Sequence, residues 1–455
     1  VKSPIIIVAA LCAFLLPLRA QETEHKKEGE ANEEIEQIKS AVEGLQESAA
    51  EYRGYVDFLR KFKFSGYLQA QYRATDIMNQ SQPIGSFSGG AFPSNQKSQF
   101  QLRRGRLKVN YDNLLTQAVL QIDIIPAGLF LKDAYLSLTE PWLQSAGLQI
   151  GVFDRPFGYE ISFSSGWRET PERSRIFQTL FPGERDLGAK LFFAPQLGSL
   201  TWLRADLGVF NGTGANANEF DNYKDVIGRV GAQFPFDEIG AEIDLGVSGY
   251  FGGVRNNTKF LWKVGTQPSG MRGFLVDSSS TNLGDGVDRK YVGVDAQFYY
   301  DVPTIGGLTL RGEFITGKQP GGTGATNSTV SPNAQPPGAL YLRNISGWYL
   351  NLVQNIGDDH QVLLKYDVYD PNTDVDAADF SSTNNLSAAD IKFSTLGLGY
   401  IYHWDGNVKF VWYYELVDNE KLSASNVVAS SSLAPFVENL RDNVFTFRIQ
   451  YRFPN

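Results

Sequence analysis

From residue 61 to the end of the chain, apolar and polar residues alternate with a period of two in segment after segment. The last such segment is the clearest. Phe445, Phe447, Ile449, Tyr451 and Phe453 fall on one side of an extended strand, and Thr446, Arg448, Gln450 and Arg452 on the other. A strand sends successive side chains to opposite faces, so one face is continuously apolar and the other basic and polar. A soluble sandwich buries such an apolar face in a core. A membrane barrel turns it to lipid and lines a watery lumen with the other face. The pattern begins with Phe62, Phe64, Leu68, Ala70 and Tyr72 and recurs in about sixteen segments, each close to the ~10 residues that cross a bilayer obliquely.

The connections support the barrel. Short turns, such as residues 112–116, 140–146, 355–359 and 403–407, alternate with long loops at 74–98, 155–184, 253–289, 318–343, 371–391 and 418–442. A compact soluble domain rarely carries so many loops longer than about 15 residues. The predicted fold class is therefore all-β: a transmembrane antiparallel β-barrel of about 16 strands over residues 61–455, preceded by a short N-terminal coiled-coil helix. No apolar run of about 18 residues follows the N-terminal segment, which argues against membrane-spanning helices.

Residues 1–20 carry Lys2, an apolar run from Ile5 to Leu16 and a small residue at Ala20, and read as a secretory signal peptide cut before Gln21. The single cysteine, Cys12, lies inside it, so the expected mature chain has no disulfide, thiolate nucleophile or cysteine metal site. Residues 21–60 are acidic and helix-friendly. Ile35, Ile38, Val42, Leu45, Ala49, Tyr52, Val56 and Leu59 recur there at spacings of three and four, an a/d seam that a lone helix cannot bury. The simplest partner is the same segment of neighbouring subunits; the alternative is packing on the chain's own barrel. The net charge of −9 argues against nucleic acid as a partner. With His25, His360 and His403 as the only histidines, neither a zinc site nor a Cys/His nucleophile is expected, and the chain does not read as an enzyme.

Residues 155–184 differ from the other long loops. Phe157, Tyr159, Phe163, Trp167, Ile176, Phe177, Leu180 and Phe181 would be unfavourable on a loop in water, so this loop is expected to fold into the barrel. It contributes Arg168, Arg173 and Arg175 as candidate cations, with Arg185 at its end. Period-two phasing adds Arg104, Arg106, Lys108, Lys190 and Arg448 on the lumen wall, and guanidinium forks suit phosphate-like oxygens. Glu160, Glu169, Glu172, Glu184 and Asp186 stand among the loop arginines in nearly equal number. Two readings stay open: an anion-attracting path, or mutual neutralisation that holds the loop's shape.

Several of these segments together resemble the phosphate-selective porin O/P family, in particular its Bacteroidetes-type members. The matching residues are Phe64-Ser65-Gly66-Tyr67, Leu102-Arg103-Arg104-Gly105-Arg106 and Leu131-Lys132-Asp133-Ala134-Tyr135. The densest block runs from Gly151 and Phe153 through Arg155-Pro156-Phe157-Gly158-Tyr159-Glu160 and Arg168-Glu169, with Pro171-Glu172-Arg173, to Leu180-Phe181-Pro182-Gly183-Glu184-Arg185-Asp186-Leu187-Gly188-Ala189. Tyr369-Asp370-Pro371-Asn372-Thr373 is a late match. The resemblance implies a homotrimeric outer-membrane channel of a Gram-negative bacterium, set in lipid and lipopolysaccharide and constricted by its third loop. It further implies passive diffusion of small solutes with a preference for anions; it does not by itself transfer phosphate selectivity, and small anions of the phosphate class are the expected solute. The rival expectations are a general or cation-preferring porin and a closed surface scaffold or adhesin barrel. No cofactor is expected beyond a calcium option at Asp370, Asn372, Asp374 and Asp376, whose odd-position oxygens imitate a calcium loop but lack its glycine and its closing glutamate.

Overall fold

A computed structural model describes residues 24–76, 84–323, 338–440 and 442–453, with the side chains of residues 24–35 and 50 outside that description. The expected signal peptide lies outside the described residues. The chain forms two compact units, residues 1–61 and 62–455. In the first, helix α1 spans Glu24–Arg60. Ile38, Val42, Leu45, Tyr52, Val56 and Leu59 of its seam are exposed on the single chain.

The second unit is a sheet. Its first nine strands are β1 Phe62–Thr75, β2 Ser98–Asn113, β3 Thr116–Ile125, β4 Gly128–Thr139, β5 Ala146–Asp154, β6 Arg185–Phe193, β7 Leu203–Phe210, β8 Asp225–Phe236 and β9 Ala241–Arg255. A hairpin follows, β10 Leu261–Thr266 and β11 Arg272–Asp277. Seven strands complete the sheet: β12 Gly286–Val302, β13 Gly306–Gly321, β14 Leu340–Ile356, β15 His360–Asp370, β16 Phe393–His403, β17 Val408–Asn419 and β18 Val444–Phe453. β9 pairs directly with β12, so the hairpin stands outside the ring, and β18 closes antiparallel onto β1. The result is a closed antiparallel barrel of sixteen strands.

The alternation sorts the two faces. On β18, Arg448 and Gln450 are buried inward, while Ile449, Tyr451 and Phe453 stand exposed outward. Leu120, Ile150, Leu191, Val247, Val294 and Leu364 continue the exposed apolar belt around the wall. Closure satisfies every strand edge, and such a belt is matched by hydrocarbon rather than water, so the barrel is of the transmembrane type.

Two bulges break the period. The β1–β2 register shifts after Gln69, which pairs with Arg104, whereas Ala70 pairs with Leu102. Arg103 is the extra residue, and it turns inward beside Arg104 rather than outward as strict alternation requires. The β3–β4 register shifts in the same way between Gln121 and Ile122, bringing Lys132 inward next to Asp133. The hairpin is the other departure, since residues 253–289 read as loop. β10 also pairs in parallel with the first residues of β14. Phe274 of β11 packs with Tyr341, Phe380, Leu386, Leu422 and Phe436, so three long loops share one apolar cluster at the loop end.

An outward charge tests the wall. Val247→Arg, near the middle of β9, should destabilise the barrel by about 2–4 kcal/mol, seen as a lower unfolding temperature in lipid or detergent.

Candidate functional site: the lumen and its third loop

Residues 155–184 form the third connection at the loop end, after the long one between β1 and β2 and the tight turn at residues 126–127. Phe157, Ile161, Ile176, Phe177, Leu180 and Phe181 are buried to 1% exposure or less. They pack against inward residues of the wall, Phe210, Ile227, Tyr250, Tyr291, Ile315 and Tyr349 among them. Burying six such side chains contributes on the order of 10 kcal/mol.

Polar latches fix the loop's course. The Glu313 carboxylate on β13 accepts from the backbone N–H groups of Tyr159 and Glu160 and, at 2.6 Å, from the Tyr349 hydroxyl. Gly158 makes room for that carboxylate: its φ is +63°, and a Cβ there would lie 2.3 Å from a Glu313 oxygen. Helix α2, Arg175–Leu180, then carries the loop back toward β6.

At Glu172 the loop meets the far wall. Arg103 donates twice to its carboxylate at 2.9 Å, Arg104 at 2.7 Å and Arg448 at 3.0 Å, so three guanidiniums from β2 and β18 share one buried anion. Burial alone would push the Glu172 carboxyl up; the three arginines outweigh it and hold it well below the usual carboxylate range. Glu184 is governed in the same way, its burial outweighed by Arg173, Lys132 and Arg185.

The sequence candidates now separate. Arg104 and Arg448 belong to the Glu172 anchor. Arg106 pairs with Asp123 at 3.2 Å, and Lys190 with Asp206 at 3.2 Å. Arg185 bridges Asp133, Asp154 and Glu184 at 3.0, 3.1 and 3.0 Å. Arg173 pairs with Glu184 and donates to the carbonyls of Glu160, Ile161 and Phe163, which makes it a brace inside the loop. Arg168 donates to the carbonyls of Thr170 and Pro171. Arg175 stands apart, its guanidinium 4.2 Å from the Phe87 ring centre and 4.1 Å from that of Phe393.

Lys108 and Arg175 are the candidates with neither an ion pair nor a side-chain hydrogen bond among the described residues, and of the two Lys108 alone lines a lumen cavity. Among the wall cations outside that set, Lys409 and Arg452 also lack a carboxylate: Lys409 donates to the Arg168 carbonyl at 3.0 Å, and Arg452 lies 3.3 Å over the Trp167 ring. Their signal in the sequence was only the inward phase of their strands.

The turn-end side of the loop holds two cavities. One, of about 340 Å³, is lined by Arg106, Lys108, Arg173, Arg185 and Arg452, with Asp133 and Asp154 as its carboxylates. The other, of about 330 Å³, carries Arg311, Lys409 and Arg452 against Glu169 and Asp405. Trp167 and Arg452 stand between them and line both.

The calcium candidates do not converge. Asp370 accepts from the Asn372 N–H at 3.1 Å, the Asn372 amide donates to Asp390 at 2.9 Å, Asp374 accepts from Asn344 at 2.7 Å, and Asp376 from the Ala378 N–H at 2.9 Å. The first and last are turn-forming bonds, and the other two tie this loop to Asp390 and Asn344. Among the described residues no group of three or more acidic, histidine or cysteine side chains could hold a metal ion.

No family model matches the chain, and no curated protein matches it. Solved structures do. Pseudomonas putida OprB superposes with a TM-score of 0.55 at 10% identity, over 88% of this chain and 96% of that one. The outer membrane channel DcaP of Acinetobacter baumannii gives 0.49 at 13% identity over 86% and 97%, and the anion-selective porin from Comamonas acidovorans 0.48 at 13% over 86% and 99%. What this chain shares with OprB is the fold.

Two outcomes follow from the anchors. Gly158→Ala forces the Glu313 carboxylate away and strains a left-handed position; it should cost about 1–3 kcal/mol and expose residues 155–184 to protease. Glu172→Gln leaves three guanidiniums without their anion and should cost about 3–5 kcal/mol. Because the folded state depresses the Glu172 pKa, wild type keeps this contribution above the unfolded value of about 4.3, and loses it as pH falls through the lower folded one. Unfolding temperatures of the two proteins should differ by a constant gap from neutral pH down to about 5 and converge only in stronger acid. A gap that closes between neutrality and that point contradicts the anchor.

Proposed function

We propose that this protein is an outer-membrane porin of a Gram-negative bacterium, passing small solutes down their gradients and favouring anions such as phosphate. One observation carries the anion preference. The cavity of about 340 Å³ beneath the third loop has five cationic side chains and two carboxylates in its lining, and Lys108 and Arg452 there have no carboxylate partner among the described residues. A narrow, low-dielectric passage magnifies such an imbalance, and rings of cations select for anions. The resemblance of the third-loop block to phosphate-selective porins points the same way, and the barrel's exposed apolar belt supports an outer-membrane setting.

The candidate site residues divide by role in this reading. Lys108 attracts solute, with Arg106 and Arg185 adding field from within their ion pairs. Arg104, Arg168, Arg173 and Arg448 shape the constriction, and Arg175 and Lys190 hold its flanks. The exposed apolar seam of α1 supports association through that helix, as a coiled coil in a homotrimer, following a signal peptide at residues 1–20. No group suited to catalysis enters the account.

The general-diffusion reading rests on the paired arginines of the third loop, and the charge variants separate it from ours. Lys108→Glu with Arg452→Glu should lower the chloride-to-potassium permeability ratio about tenfold, read from zero-current potentials in planar bilayers. An unchanged ratio in that double variant would sink the proposed site. A closed scaffold is tested independently: proteoliposomes holding the wild-type protein should swell in small sugars and phosphate, and a barrel that passes neither is no porin.

A further inference from the structure

Trp167 is out of keeping with its loop. The other large apolar side chains of residues 155–184 are buried or half-buried, whereas the Trp167 indole is 61% exposed at the boundary of the two lumen cavities. Its place is not slack. The Gly166 carbonyl accepts from Gln450 at 2.8 Å and the Ser165 carbonyl from Gln69 at 2.9 Å, while the Ser165 hydroxyl bonds the Tyr67 hydroxyl at 2.6 Å. The neighbouring backbone is thus tied to β1 and β18, and the indole is held out into the lumen. Arg452 lies on the ring at 3.3 Å, which fixes a guanidinium beside an aromatic surface.

The cavity of about 330 Å³ repeats this combination. Phe163 and Trp167 line it together with Arg311, Lys409 and Arg452, and the amides of Gln361 and Gln450 supply neutral hydrogen-bonding groups. Arg311 lies over the Phe163 ring at 4.7 Å, a second guanidinium paired with an aromatic face. A bare inorganic anion is hydrated all round and gains nothing from an indole. A solute with a flat ring and an attached negative group gains from both parts, since the ring covers the aromatic surface and the charge meets a cation.

We infer that Trp167, with Arg452 and Lys409, forms a binding station for ring-bearing organic anions. The class includes aromatic carboxylates and phosphorylated or carboxylated sugars, which share one apolar ring face and one anionic group. This deepens the anion reading of the same vestibule and rests on it.

The test uses the full protein in planar bilayers, with chloride current inhibited by benzoate, glucose 6-phosphate, acetate or inorganic phosphate. For wild type, half-inhibition by benzoate should need about fivefold less solute than by acetate, and glucose 6-phosphate should exceed inorganic phosphate in the same sense. Benzoate alone exceeding its ringless partner assigns the station to aromatic carboxylates; glucose 6-phosphate alone assigns it to sugar anions. Trp167→Ala should bring both ratios to about one, and Trp167→Phe, which keeps a ring, should retain most of the difference. Equal inhibition by ringed and ringless anions in wild type, or ratios unmoved by Trp167→Ala, overturns the station. A zero-current potential in the same membranes separates the two levels: anion preference with equal ratios removes only the ring site, whereas cation preference removes the vestibule reading with it.

Discussion

A single carboxylate holds the lumen together. Glu172 sits at the far reach of the third loop and draws in Arg103 and Arg104 from β2 and Arg448 from β18. Without it the loop would lose its ion pairs to that wall, and three buried guanidiniums would face one another. On the opposite wall the tether is apolar, with Phe157, Phe177 and Phe181 set among Tyr250, Tyr291 and Tyr349. The two attachments hold the loop across the barrel, apolar on one wall and ionic on the other. The Glu313 latch at Gly158 sets where the crossing begins.

The arginines of the loop are mostly engaged in holding it. Arg173 braces its own segment and Arg185 joins it to β4 and β5, while Glu160 answers Lys365 at 2.8 Å. The density of arginine in this block therefore reflects the cost of burying a polar loop inside a barrel. On the proposed reading, the charges left for a solute are fewer and lie lower, at Lys108, Lys409 and Arg452. The charge count of a motif and the charge that a solute meets are different quantities.

This distinction also explains how much was legible in the sequence. The closed sheet, the inward phase of Arg448 and Gln450 and the aromatic character of residues 155–184 all follow from periodicity and composition. The two bulges do not, because a period-two pattern carries no mark of an inserted residue. Strict alternation would put Arg103 on the lipid side, although it meets Glu172 twice. The hairpin of β10 and β11 was missed for a different reason: its strands are six residues each and belong to the loop cluster rather than the wall. Ion pairing across the lumen was beyond reach for a third reason. Glu172 and Arg448 are 276 positions apart, and local spacing cannot say which carboxylate answers which cation.

The central claim is that the third loop's carboxylates are matched by cations of the loop and the wall, while the vestibule beneath it keeps an excess of positive charge. The most direct measurement is the zero-current potential of the wild-type protein in a planar bilayer separating concentrated from dilute potassium chloride. The account predicts a potential whose sign shows chloride to be the more permeant ion, diminishing as both solutions are made more concentrated and the fixed charges are screened. A potential of the opposite sign, with potassium more permeant, would contradict it.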